Sequence, residues 1–347
     1  MRLAAVSVFL VLLLPSIASA LMAGPDDAVP TITDKSAVLV FNAAQMAALE
    51  RRAQAGEAEA QFILGRALRD GGPLLAQNQA ESMQWFRRSA DQGFAKAENE
   101  LGNMYEHGKG IPEDDAEAAR WYTKAAEHGD AVAASNLGYL YYLGKGLDRS
   151  YSRAVELFSK AAQEGVTAAQ YALGLMYFDG KGGHRDPVQG AHFLRAAAEK
   201  GFAVAQYDLC RLNAVGKEVP RDLQDAFQWC RAAAQQGNPH AQNTLGFLYM
   251  TAQGTQRDYA EALRWFTAAA EQGNAAAQSN VGKMYEKGLG VRLDYVEACK
   301  WFRLAEAQGD QLATEARKSL ASIMTKHQLI AVEGKIEEWK SQHQNQP

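Results

Sequence analysis

Cysteine, proline and recognisable catalytic motifs are scarce in this chain of 347 residues. It has three cysteines, nine prolines and seven scattered histidines. The sequence contains no Cys-x-x-Cys or His-Glu-x-x-His spacing, so nothing indicates a metal site. It contains no Walker sequence and no Gly-x-Ser-x-Gly motif. We therefore predict that the protein is not an enzyme, with no catalytic residue and no cofactor.

Long apolar runs are absent after the first residues, and no basic stripe is present. The net charge is −4 with both signs interspersed, which argues against a nucleic-acid partner. Arg2, the apolar run Val8–Leu14 and the small residues Ala18-Ser19-Ala20 have the order of a secretory signal peptide. We expect residues 1–20 to be removed and the mature chain to be periplasmic or secreted, without membrane insertion.

Glycine recurs with a fixed period through the rest of the chain. The period glycines are Gly56, Gly93, Gly129, Gly165, Gly201, Gly237, Gly273 and Gly309, with a first spacing of 37 residues and later spacings of 36. A period in this range is typical of a solenoid, in which each unit packs on its neighbours. Seven units therefore predict an extended surface suited to binding.

Each unit predicts a pair of helices. In one unit Ala97, Leu101, Met104 and Tyr105 share one face of helix A, and Gly102 follows the motif leucine. Because glycine weakens a helix interior, we interpret this motif glycine as a point of close helix approach. A Gly-Lys-Gly turn follows. Helix B then carries an aromatic pair such as Trp121-Tyr122.

Helix B is predicted to begin at a capping residue in the same register. The caps are Asn78, Asp114, Ser150, Asp186, Asp222, Asp258 and Asp294. Glu81, Glu117, Gln189, Glu261 and Glu297 lie three residues later and predict capping boxes.

The ends of the array are predicted to differ from its middle. We expect a flexible lead at 21–41, an N-terminal capping helix at 42–56 and the repeats at 57–309. C-terminal capping helices at 310–340 and a disordered tail at 341–347 complete the domain prediction.

The pattern Ala-x-x-x-Leu-Gly-x-x-Tyr, Gly-x-Gly, Asp-x-x-x-Ala-x-x-Trp-Tyr/Phe-x-x-Ala-Ala-x-x-Gly resembles the Sel-1-like repeat, a relative of the tetratricopeptide repeat. The resemblance covers about Asn42–Gly309. It implies an all-α fold, a right-handed αα superhelical solenoid, and a role in protein–protein interaction. Exported bacterial members act as adaptors of the cell envelope, and some cysteine-rich members are linked to β-lactams.

The fifth unit departs from the motif at its cysteines. Cys210 replaces the motif glycine on helix A, and Cys230 replaces a helix B motif residue. An oxidising compartment permits a disulfide between them; two buried thiols are the alternative. Cys299 occupies an apolar helix B position and is predicted to be a buried core residue.

The candidate binding residues are helix A residues two before, two after and five after the motif leucine, which we name the A-face positions. They lie opposite the core stripe and are predicted to line a concave groove. Those assigned to partner binding are Tyr139, Tyr142, Tyr171, Leu175, Phe178, Tyr207, Arg211, Phe247 and Met250. An aromatic patch with polar ends is typical of an interaction site. The alternative is that curvature buries these side chains against neighbouring helices.

Three functions remain open from the sequence. The leading one is a non-catalytic scaffold that binds a protein or peptide in its groove. A β-lactam-interacting, hydrolase-like or small-molecule-binding protein is the second, and a structural assembly protein is the third. The sequence names no partner.

Overall fold

The computed structural model describes residues 42–343. The predicted signal peptide and flexible lead therefore lie outside the described residues, as do the last four residues of the predicted tail. The described part divides into two compact parts, one ending at Phe193 and the other beginning at Leu194. From here on these two parts are called the first unit and the second unit, and each 36-residue segment is called a repeat.

The described residues form seventeen α-helices and no strand, which confirms the all-α solenoid. A leading helix precedes the helices of the first four repeats: α1 Ala43–Gln54, α2 Ala58–Asp70, α3 Gln79–Ala90, α4 Ala95–Glu106, α5 Asp115–Glu127, α6 Ala131–Leu143, α7 Tyr151–Gln163, α8 Thr167–Asp179 and α9 Pro187–Glu199. The remaining helices are α10 Ala203–Val215, α11 Leu223–Gln235, α12 Pro239–Thr251, α13 Tyr259–Glu271, α14 Ala275–Lys287, α15 Tyr295–Ala307, α16 Gln311–Ala321 and α17 Lys326–His343.

The predicted caps begin every helix B. Asp114, for example, accepts hydrogen bonds from the amides of Ala116 and Glu117 at 3.0 Å each, which satisfies donors that the first turn leaves unpaired. At Asp114 and Asp258 only half of the predicted capping box forms, because the glutamate side chain binds an arginine and not the backbone amide of the cap. Glu117 accepts from Arg120, and Glu261 accepts from Arg264. Reciprocal bonds occur instead between Asn42 and Gln45 at the start of α1.

The motif glycines are points of close helix approach, as predicted. A Cβ at Gly102 would lie 2.6 Å from the ring of Tyr122, and one at Gly282 would lie 2.7 Å from Phe302. The same contact joins Gly65 to Phe86, Gly138 to Phe158 and Gly246 to Phe266. In these five repeats helix B packs an aromatic ring against the glycine of its own helix A, and this contact is the centre of the repeat core. The corresponding helix B residues are Leu194 in the fourth repeat and Cys230 in the fifth.

The C-terminal end departs from the repeat. The last helix, α17, packs on α15, and the indole of Trp339 donates a 2.8 Å hydrogen bond to Glu271 on α13. Since α17 continues to His343, residues 341–343 are helical and do not belong to the predicted tail. Among residues 42–343, no helix is long and apolar enough to cross a membrane.

Candidate functional site

The A-face of the first unit is largely closed. Tyr142, Tyr171, Leu175 and Phe178 are between 3% and 8% exposed, so the prediction that they line an open groove is wrong. Tyr139 is half-buried, and its burial raises the pKa of its hydroxyl. In this unit the aromatic side chains belong to the core.

Phe178 is buried because of an exception on the facing helix. Position 190 of α9 corresponds to a fully buried alanine in other repeats, such as Ala118 and Ala154, but in this repeat it is glycine. A Cβ at Gly190 would lie 2.7 Å from the Phe178 ring. The ring therefore fills the space that the alanine methyl group leaves, and this pairing draws Phe178 inward.

Tyr142 is held by the turn of the next repeat. Lys181 donates a 2.6 Å hydrogen bond to the Tyr142 hydroxyl and lies 3.0 Å from Asp179. Burial acts to lower the pKa of Lys181, but the bonds to Tyr142 and Asp179 outweigh it and raise that pKa. The Tyr142 ring also packs against Tyr151, with ring centroids 5.3 Å apart. Its polar and apolar parts both have partners within the unit.

The A-face of the second unit is more open. Tyr207, Arg211, Phe247 and Met250 are all half-buried. The Arg211 guanidinium lies 5.6 Å from the centre of the Tyr207 ring. Its distance to Asp208 Oδ1 is 3.8 Å, which is too long for a hydrogen bond. Phe247 and Met250 pack only partly against the core around Val281 and Phe302.

His240 belongs to this surface although it lies in no sequence motif. Its ring stacks on Tyr207 with centroids 6.0 Å apart, and its Nδ1 lies 3.3 Å from Asn274 Nδ2. Burial and, second, the Arg211 charge lower the pKa of His240. The only sequence signal is its position near the start of the helix A that follows Tyr207.

Cys210 and Cys230 form a disulfide bond in the structure, with their Cα atoms 5.0 Å apart. They occupy the two positions that a glycine and an aromatic ring fill elsewhere, for example in Gly246 and Phe266. Both cysteines are fully buried. In the fifth repeat a covalent bond therefore takes the place of the contact between a glycine and an aromatic ring. Cys299 is a buried free thiol, as predicted.

One half-buried carboxylate joins α15 to the last helix, α17. Glu297 binds Lys300 at 2.8 Å and also contacts Lys335 of α17. Burial acts to raise the pKa of Glu297, but the two lysines outweigh it and lower that pKa. Within residues 42–343, no three His, Cys, Asp or Glu side chains are grouped so that they could hold a metal ion.

The Sel1 repeat model matches seven consecutive segments: residues 58–94, 95–130, 131–166, 167–202, 203–238, 239–274 and 275–310. The chain belongs to the Sel1 repeat family. Proteins of this family are generally non-catalytic scaffolds for protein interactions. The match agrees with the register of the period glycines, because each one from Gly93 to Gly309 is the second-last residue of a matched segment.

Solved structures of similar proteins are bacterial. A Sel1 repeat protein from Oxalobacter formigenes is 33% identical, with a TM-score of 0.61 over 82% of this chain and 83% of that chain. A protective antigen of uropathogenic Escherichia coli with an SLR fold is 25% identical, covering 87% of this chain and 95% of its own, with a TM-score of 0.40. No curated protein matches the chain.

Proposed function

We propose that this protein is an exported scaffold that binds a protein or peptide segment on the A-face of residues 194–343. The observation that carries the proposal is the contrast in exposure. Phe247, Met250, Tyr207 and Arg211 are half-buried, whereas the first unit buries four of its five predicted side chains: Tyr142, Tyr171, Leu175 and Phe178. Tyr, Phe, Met and Arg are the residues that interfaces favour.

The closed first unit has a different part in this proposal. Its aromatic side chains complete its own core, so it supports the array and offers Tyr139 alone from the predicted set. This is the part of the chain to which the structural-assembly alternative applies.

Export to a periplasm or to the medium belongs to the same proposal. It is supported by the order of charged, apolar and small residues in 1–20 and by the buried Cys210–Cys230 bond, which an oxidising compartment preserves. Cell fractionation of the tagged chain tests it. We expect the tag in the envelope or the medium, with loss of about 20 N-terminal residues; recovery of the uncleaved chain inside the cell contradicts it.

Site-specific photocrosslinking tests the binding surface. A photoreactive phenylalanine analogue at Phe247 should yield a defined adduct with a second protein in envelope preparations. The control places the same analogue at Arg264 on α13, whose side chain is 63% exposed. An adduct formed at position 264 but not at 247 contradicts the assigned surface, and failure at both positions contradicts the scaffold proposal.

A further inference from the structure

The A-face of the second unit carries a row of equivalent side chains on three successive A helices. Arg211, Phe247 and Lys283 each lie two residues after the motif apolar residue of α10, α12 and α14. These helices are neighbours on this face. The Tyr207 and His240 rings stack between α10 and α12, and Asn280 donates a 3.0 Å hydrogen bond to Asn243 between α14 and α12. The row therefore places an aromatic ring between two cations.

The first cation is poorly neutralised for its degree of burial. Only 17% of the Arg211 side chain is exposed, and its contacts are the Tyr207 ring and a carboxylate oxygen at 3.8 Å. A guanidinium has five N–H donors arranged to bind a carboxylate with two parallel bonds. A carboxylate supplied by a partner would therefore offset the partial desolvation of Arg211.

The second cation lies beside an unused hydroxyl. Lys283 is half-buried, and burial lowers its pKa. One helical turn earlier, Ser279 is 3% exposed and its Oγ has no hydrogen-bond partner. A buried polar atom without a partner is uncommon in native proteins. The Ser279 oxygen is enclosed by protein atoms, so of these two groups the Lys283 ammonium is the one that can donate to an oxygen anion of a partner.

The centre of the row is apolar. Phe247 and Met250 are half-buried and pack on the core formed by α13 to α15. In the first unit the same positions hold Arg66, Asn103, Tyr139 and Leu175, so no aromatic ring there lies between two cations. The charge pattern is therefore particular to the second unit and is not a requirement of the repeat.

We propose that the occupant of this surface is an acidic peptide segment with an apolar side chain at its middle. This inference rests on the proposed scaffold function and names the chemistry of its partner. Carboxylates bind Arg211 at one end and Lys283 at the other, and the apolar side chain packs on Phe247 and Met250. Two helix spacings of about 8–10 Å each correspond to about five or six residues of extended chain. The two acidic positions are therefore separated by that length.

A displayed library of random 12-residue peptides, selected on the chain without residues 1–20, tests this inference. We expect retained peptides to be enriched in Asp and Glu at two positions about five or six residues apart, with an aromatic or large aliphatic residue between them. Peptides retained without acidic enrichment overturn the inference and leave the scaffold function standing. Retention of no peptide overturns both.

Substitutions in the protein then test whether the charges of Arg211 and Lys283 contribute to peptide binding. For one synthetic peptide from the selection, Arg211→Gln and Lys283→Gln should each weaken binding about tenfold, the effect of losing one charge-assisted hydrogen bond. Arg264→Gln removes the same charge from α13 and should leave the affinity unchanged. Added salt should weaken binding to the unaltered chain. Equal affinity of the Arg211→Gln, Lys283→Gln and Arg264→Gln variants contradicts the proposed charge recognition.

Discussion

Phe178 of the first unit and Met250 of the second occupy the same position of the repeat, five residues after the motif apolar residue. Phe178 is 6% exposed and lies over Gly190, whereas Met250 is half-buried. In the sixth repeat the helix B residue equivalent to Gly190 is Ala262, whose methyl group occupies the space that Gly190 leaves to Phe178. The missing methyl group at Gly190 lets Phe178 join the core. Tyr142 occupies the same position and its equivalent helix B residue is Ala154, and it is buried instead through its contacts with Lys181 and Tyr151.

The largest effect is expected from truncation of Phe178. Phe178→Ala should lower the free energy of unfolding by about 3–5 kcal/mol, because it empties a site that Gly190 leaves unfilled. Urea unfolding measures this loss. Gly190→Ala alone should also destabilise the protein, but added to Phe178→Ala it should restore part of the loss by returning the motif alanine. Additive losses contradict the proposed exchange of volume.

The second prediction compares the Cys210–Cys230 bond with the glycine–aromatic contact that other repeats have at the same place. Replacing Cys210 and Cys230 by alanine should reduce stability by about 2–4 kcal/mol, since it removes both the cross-link and buried volume. Cys210→Gly with Cys230→Phe recreates the pairing seen at Gly246 and Phe266 and should be more stable than the alanine pair. Detection of both cysteines as free thiols by mass spectrometry of exported protein contradicts the bond itself.

The glycine–aromatic contact of the first unit makes a smaller but clear prediction. Gly102→Ala should destabilise by about 1–3 kcal/mol, because its methyl group meets the Tyr122 ring at 2.6 Å. Gly334→Ala is the matched control on α17, where nothing lies within 4 Å, and it should stabilise by about 0.5–1 kcal/mol. In thermal unfolding, Gly102→Ala should lower the Tm and Gly334→Ala should raise it. Tm shifts of the same sign contradict the packing role of Gly102.

The smallest effect concerns His240 in the open surface. Because burial and Arg211 lower its pKa, the imidazole should titrate below the usual value of about 6.5. Its contribution to stability is therefore present above the unfolded-state pKa and is lost as the pH falls through the folded-state pKa. NMR titration should show the pKa rising in Arg211→Gln. An unchanged pKa contradicts the placement of Arg211 beside the ring.

The repeat register made most of the fold predictable. Each cap from Asn78 to Asp294 begins a helix, and five motif glycines face a ring, because both features depend on contacts inside one repeat. The capping boxes were wrong because Glu117 and Glu261 have arginines one turn later on the same helix. A side chain with two possible partners cannot be assigned from spacing alone.

The binding surface was less predictable than the fold because it depends on contacts between repeats. The sequence places Tyr142 and Phe247 on equivalent faces, but it does not show that Lys181 reaches the Tyr142 hydroxyl across 39 residues. His240 was missed because it lies outside the A-face positions and contributes through stacking on Tyr207.

The most direct test of the account compares two double variants in the same assays. Urea unfolding and binding of a selected peptide are measured for Tyr142→Ala with Phe178→Ala and for Phe247→Ala with Met250→Ala. The first pair should lose about 5 kcal/mol or more of stability. The second should lose about 1–3 kcal/mol, remain folded and bind at least tenfold more weakly. Equal stability losses, or a folded second variant with unchanged affinity, would contradict the division between a closed core and an open binding surface.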